Sequence, residues 1–136
     1  MAGKRASMKI ALDTNILIRI IAVDDEPRVK KALALIESYG PREIFICHGV
    51  LVETYFVLTK KYGLSKESVL NSFEDLLKVP QFCFEYETAV RLAISKCAKG
   101  YTFNDALIGE IGGSRNLKTY TFDKGLKDNK NFEFIH

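Results

Sequence analysis

Apolar residues fall along this chain in short blocks set between longer stretches of helical periodicity. The first block, over 9–13, predicts a strand that carries Ile10 and Leu12 and stops at Asp13. Thr14 and Asn15 break that run, and a helix is predicted from there to about residue 22. A second helix is predicted after Pro27, a residue suited to a first helical turn. Its Val29, Leu33 and Ile36 recur at helical spacing, and Gly40 closes it. Residues 44–47 are apolar throughout and predict a short, fully buried strand, followed by a helix over about 50–62 that Gly63 ends. Ser65 is read as an N-cap, with Leu64 and Val69 disposed as a hydrophobic staple. Residues 82–84 fit a strand or a loop equally well. Over 87–99, Val90, Ala93, Ile94 and Cys97 share one helical face, and Gly100 stops it. Asn104 is read as the N-cap of a helix running to about residue 111, with Asp105 in its first turn and Gly112-Gly113 at its end. Strands are predicted over 118–122 and 132–135. Buried strands alternating with helices predict an α/β fold on a mostly parallel sheet.

With 136 residues the chain has the size of one domain, expected to span 8–136. Residues 1–7 are polar and basic and are read as a disordered N-terminal arm. The longest apolar run, near 16–23, is interrupted by Arg19 and is too short to span a membrane. Cys47, Cys83 and Cys97 are odd in number and irregularly spaced, with no C-x-x-C pair, so neither a disulfide framework nor a zinc ribbon is expected. Cys47 and Cys97 are read as small buried hydrophobes. A reducing, cytoplasmic location follows. The net charge of +3 allows a polyanionic partner, although the pairs Lys30-Lys31 and Lys60-Lys61 suit solvated helix faces as well. His48 and His136 are read as structural or solvated.

The acids carry the candidate chemistry. Glu26, Glu67, Glu74 and Asp75 fall where solvated helix faces are expected. Asp13 and Asp123 each end a predicted strand, and ligands of open α/β sheets gather at the carboxyl ends of strands. Asp105 starts a helix. Glu53 stands within Val50-Leu51-Val52-Glu53-Thr54-Tyr55-Phe56, where a charge is costly unless it is paired or metal-bound. Singly, Asp105 also suits a helix-start charge, Asp123 a turn and Asp13 a helix cap. Together the four suit a divalent metal site: carboxylates bind hard cations, and crowding them without a cation would cost heavily in repulsion.

At this point the sequence resembles the PIN-domain ribonucleases, especially VapC-like toxins of prokaryotic toxin–antitoxin pairs. The opening Ile10-Ala11-Leu12-Asp13-Thr14-Asn15, the Val50-Leu51-Val52-Glu53 segment, Asn104-Asp105-Ala106-Leu107-Ile108 and Thr121-Phe122-Asp123 match four family motifs in order. The resemblance implies an α/β/α sandwich and a metal-dependent endoribonuclease. It implies that Asp13, Glu53, Asp105 and Asp123 bind magnesium or manganese and carry the chemistry, with Asn15 and Thr121 supporting them by hydrogen bonds. It further implies an RNA substrate, a homodimer and a cognate antitoxin. One departure is Thr102, where many members place a further acid; this removes a ligand from a second ion.

Two other readings belong to different classes. A phospho-receiver domain would need an acidic pair at the end of its first strand, where Asp13 stands alone and Asp24-Asp25 follows only after a helix. A non-catalytic RNA-binding scaffold of the PIN type would not need the full acid set. A haloacid-dehalogenase-like phosphatase would want Asp where Asn15 stands.

Overall fold

The computed structural model describes residues 8–97 and 99–136, so the arm expected at 1–7 lies outside the described residues. The chain divides between Glu85 and Tyr86 into two compact units. The α/β class expected from the alternation holds in both, and among the described residues every strand pairing is parallel.

In the first unit, β1 (Ile10–Ala11), β2 (Ile44–Ile46) and β3 (Phe82–Phe84) form a sheet in the order β1-β2-β3. Ile10 pairs with Ile44, and Ile44, Phe45 and Ile46 pair with Phe82, Cys83 and Phe84. Residues 82–84 are therefore a strand, fixed by tertiary pairing that local sequence does not contain. β1 is shorter than its apolar run because the chain turns at Asp13 to cap the following helix, α1 (Thr14–Ala22). Its cap is the Asp13 carboxylate, which accepts the Ile16 N–H at 3.4 Å.

Helix α2 (Glu26–Glu37) is capped by Asp25 and opens with Pro27 in its first turn. It buries Val29, Ala32 and Ile36, whereas Leu33 is 43% exposed. Spacings of three and four centre the buried stripe on Ala32, so Leu33 falls at its margin. Helix α3 (His48–Lys60) starts two residues earlier than its pattern suggested and buries Leu51, Thr54 and Leu58. Helix α4 (Lys66–Leu77) is capped by Ser65, as expected, and buries Val69, Leu70, Phe73 and Leu76. α1 packs on α2 and α3, α3 on α4, and α4 on β3. The core beneath them includes Leu17, Ile44, Ile46, Leu51, Leu58, Val69 and Phe73, each almost wholly buried. Each such side chain contributes about 1.5–3 kcal/mol by leaving water.

In the second unit, α5 (Glu87–Cys97) packs on α6 (Phe103–Ser114), which packs on β4 (Thr119–Thr121); β4 pairs with β5 (Phe132–Phe134). The expected apolar face of α5 is buried at Val90, Ala93, Ile94 and Cys97. Glycines 112 and 113 do not end α6, which continues to Ser114. They serve close packing instead. A Cβ at Gly112 would lie 2.8 Å from the Thr119 hydroxyl, and one at Gly113 would lie 2.6 Å from Asn131 Oδ1. The buried Glu110 carboxylate accepts hydrogen bonds from Lys96 at 2.6 Å and from the Asn131 amide at 2.8 Å, tying α5, α6 and the approach to β5 together. Among the described residues no helix is long and apolar enough to cross a membrane.

Candidate functional site

Asp13 leaves the end of β1 exposed to solvent, and its carboxylate caps the next helix through Ile16. Its neighbour Thr14 reaches much further. The Thr14 hydroxyl donates to Glu53 Oε1 at 2.5 Å, across 39 positions of sequence. The first turn of α1 and the middle of α3 are thereby joined beside Asp13.

Glu53 corrects an expectation. Its apolar neighbours in sequence suggested a buried carboxylate, yet the residue is exposed. α3 buries positions 51, 54 and 58, and the helical period turns position 53 outward with Phe56, itself 58% exposed. Desolvation therefore does not explain a carboxylate here. Its partner in Thr14 and its position on α3 are what distinguish it.

Asn15 is exposed at the second position of α1. At the far end of that helix, the Arg19 guanidinium donates to both oxygens of Asp24 at 2.9 and 3.0 Å, and the Tyr62 hydroxyl donates to Asp24 at 2.7 Å. The Tyr62 hydrogen bond, then that of Arg19, holds the Asp24 carboxyl below its ordinary range. Asp24 is engaged in fastening α1 to the end of α3, and Asp25 caps α2. Neither forms the strand-end acidic pair of a receiver domain.

In the second unit, Asp105 is half-buried in the first turn of α6. The N-cap is Thr102 rather than Asn104: its extended backbone places its hydroxyl to accept the Asp105 N–H at 3.1 Å. The helix starts earlier because Phe103 is wholly buried and anchors its first turn. Asp123 follows β4 and is exposed. Its Oδ1 accepts the Gly125 N–H at 2.8 Å and caps the short 3-10 turn Lys124–Leu126, while its own N–H donates to the Thr121 hydroxyl at 3.0 Å.

One group of residues escaped the sequence reading. Cys47 and His48 follow β2, Glu85 follows β3, and all three are half-buried. Cys47 was expected among the buried hydrophobes; of the two cysteines so read, only Cys97 is fully buried. The Glu85 Oε1 accepts the His48 backbone N–H at 3.1 Å and lies 2.6 Å from His48 Nδ1. The His48 side chain is the main cause of a Glu85 carboxyl held below its usual range, against an opposing push from burial. Only the register of β2 on β3 brings residues 47 and 85 to one level, and that register is not visible in local sequence.

Short parallel strands ending in acids, interleaved with helices, define an α/β protein with carboxylates at its strand ends. More particularly, the chain belongs to the PIN-domain family, whose model matches residues 10–131. No curated protein matches the sequence. Among solved structures the chain is similar to VapC20 of Mycobacterium tuberculosis, a sarcin–ricin-loop-cleaving toxin, at 18% identity and a TM-score of 0.43, covering 93% of this chain and 98% of that one. A toxin–antitoxin complex from Klebsiella pneumoniae aligns at 17% identity and a TM-score of 0.36, over 92% and 96% of the two chains. VapBC2 from Rickettsia felis, bound to a promoter DNA fragment, aligns at 20% identity and a TM-score of 0.37, over 93% and 96%.

Proposed function

We propose that this chain is a metal-dependent endoribonuclease that hydrolyses RNA phosphodiester bonds, and that it is the toxin of a toxin–antitoxin pair. The observation that carries the reading is family membership over residues 10–131, with Asp13, Glu53, Asp105 and Asp123 at the positions of the four family motifs. The match runs through both units, which supports treating 8–136 as one nuclease domain.

The donor set suits magnesium or manganese, because four carboxylates offer only hard oxygen ligands. In this reading Asp13, Asp105 and Asp123 would hold one ion. Thr102 offers a hydroxyl already committed as a helix cap where a further carboxylate would serve a second ion. When bound, the ion supplies charge stabilisation to the scissile phosphate and acidifies a water. Glu53 receives the proton of the attacking water, and Thr14 fixes the orientation of its carboxylate. Thr121 fixes the backbone at Asp123. In-line attack then leaves a 5′-phosphate. A homodimer and an antitoxin partner complete the proposal and rest on the VapC-like motifs.

The test is incubation of the purified chain and its Asp13→Asn variant with mixed RNAs, with and without magnesium or manganese. Cleavage by the wild type that needs the ion and vanishes in the variant is expected. Cleavage unaffected by Asp13→Asn and by EDTA would sink the assignment. RNA retention without any cleavage would favour the non-catalytic scaffold reading.

A further inference from the structure

We propose that Cys47, His48 and Glu85 form a second metal site, distinct in its ligands and selective for zinc-class transition ions. These three residues offer a thiol sulfur, an imidazole nitrogen and a carboxylate oxygen, all within 4.8 Å of one another. A tetrahedral ion with the usual zinc bond lengths holds its ligand atoms roughly 3.3–3.5 Å apart. The close approach of His48 Nδ1 to Glu85 Oε1, at 2.6 Å, is that of two atoms sharing a proton. An ion entering the site replaces that proton and the thiol proton, so binding releases protons.

The backbone prepares the site. Cys47 and Glu85 each follow the last paired residues of two hydrogen-bonded parallel strands, Ile46 and Phe84. The Glu85 N–H donates to the Ile46 carbonyl at 2.9 Å, and the His48 N–H donates to the Glu85 carboxylate. Ligand positions are thus set by the sheet and by the first residue of α3, with little ordering left for the ion to impose. Half-burial leaves the ligands reachable while removing part of their water. Three protein ligands leave a fourth position for water, the arrangement of an open zinc site.

The ligand chemistry separates this site from the acids. Thiolate and imidazole favour zinc, cobalt or copper, whereas magnesium and manganese favour carboxylate and water. The competing account is a Glu85 carboxylate hydrogen-bonded by His48 and by the Cys47 thiol, which needs no ion.

Cobalt(II) titration of the full chain in excess magnesium decides between them. One equivalent is expected to produce a sulfur-to-cobalt charge-transfer band that zinc abolishes by displacement. The band is expected to survive in Asp13→Asn and Cys83→Ser and to vanish in Cys47→Ser. His48→Ala and Glu85→Gln are expected to weaken zinc binding by at least ~10-fold. Absence of the band in the wild type, or its persistence in Cys47→Ser, overturns the proposal. Should Cys47→Ser lose its circular-dichroism spectrum, alkylation of Cys47 in the wild type replaces it. Zinc is expected to slow that reaction, and an unchanged rate overturns the proposal equally.

Discussion

The two units differ in how they hold one acid: Asp13 in the first has a local cap to Ile16, as the acids of the second have local partners, but Glu53 does not. In the first, Glu53 is held by a hydroxyl 39 positions away in sequence, and the contact exists only because α1 and α3 pack together. In the second, the contacts are local: Asp105 donates its N–H to Thr102 three residues earlier, and Asp123 is braced by Thr121 and Gly125 two residues to either side. Local support forms with its own turn. Support from a distant element forms only once the core beneath it is assembled, and it responds to changes anywhere in that packing.

The largest effect belongs to the acids themselves. Asp13→Asn and Asp123→Asn are each expected to lower metal-dependent RNA cleavage by more than the roughly 10–100-fold that loss of an outer-shell partner costs. Their circular dichroism should stay native, since asparagine retains a capping oxygen. Equal activity of either variant and wild type would remove that acid from the site.

Next come the braces. Thr14→Val removes the hydroxyl that donates to Glu53 while keeping the branched shape, and a fall of about 10–100-fold in cleavage is expected. Thr121→Val removes only an acceptor for a backbone N–H that solvent can satisfy, so a smaller fall is expected. If Thr121→Val proves the more damaging, long-range and local support do not differ as described.

The same contrast explains what could be read from the sequence. Ser65, Pro27 and the apolar face of α5 act over one or two turns, and each stands where its local signal placed it. The four acids were visible because each lies within a short motif. Exposure of Glu53 was legible in principle, since the phase of α3 follows from Leu51, Thr54 and Leu58, but the density of apolar residues around it obscured that phase. The Glu53–Thr14 contact and the Cys47–His48–Glu85 group depend on helix packing and on strand register, which no local window contains. Gly112-Gly113 misled for a related reason. A glycine pair reads locally as a terminator, but here the helix continues because two side chains of the sheet region need the space.

Glycine substitutions sharpen the comparison at the level of stability. A Cβ at Gly109 in α6 would lie 2.6 Å from the Phe132 ring and 3.2 Å from Asn131 Cβ. Gly109→Ala is therefore expected to destabilise by about 1–3 kcal/mol, measured by urea unfolding. Gly49, near the start of α3, would place its Cβ no closer than 3.8 Å to Cys47 Sγ. Gly49→Ala is expected to be neutral or to gain up to about 1 kcal/mol from helix propensity.

The smallest effect concerns acid. Asp24 and Glu43, both in the first unit, have carboxyl groups held below their ordinary values of 3.8 and 4.5. For Asp24 the Tyr62 hydroxyl is the main cause, followed by Arg19; for Glu43 it is the Gly40 N–H, followed by Lys9. A carboxyl depressed in the folded state binds protons more readily when unfolded. Its stabilising contribution is complete above the unfolded value and is lost as pH falls through the folded one. Stability should therefore decline as pH drops below about 4.5, first through Glu43 and then through Asp24. Both groups are solvent-accessible, so screening keeps the contribution modest and salt should reduce it. Asp24→Asn is expected to flatten the lower part of the acid limb and to lower the neutral-pH unfolding midpoint slightly. Because Asp24 binds the end of α1 to the end of α3, the variant also tests whether loosening that junction disturbs the Thr14–Glu53 contact at the other end of α1. A fall in cleavage rate larger than the stability change accounts for would show that the two ends of α1 are mechanically linked. An unchanged rate would confine the role of Asp24 to stability.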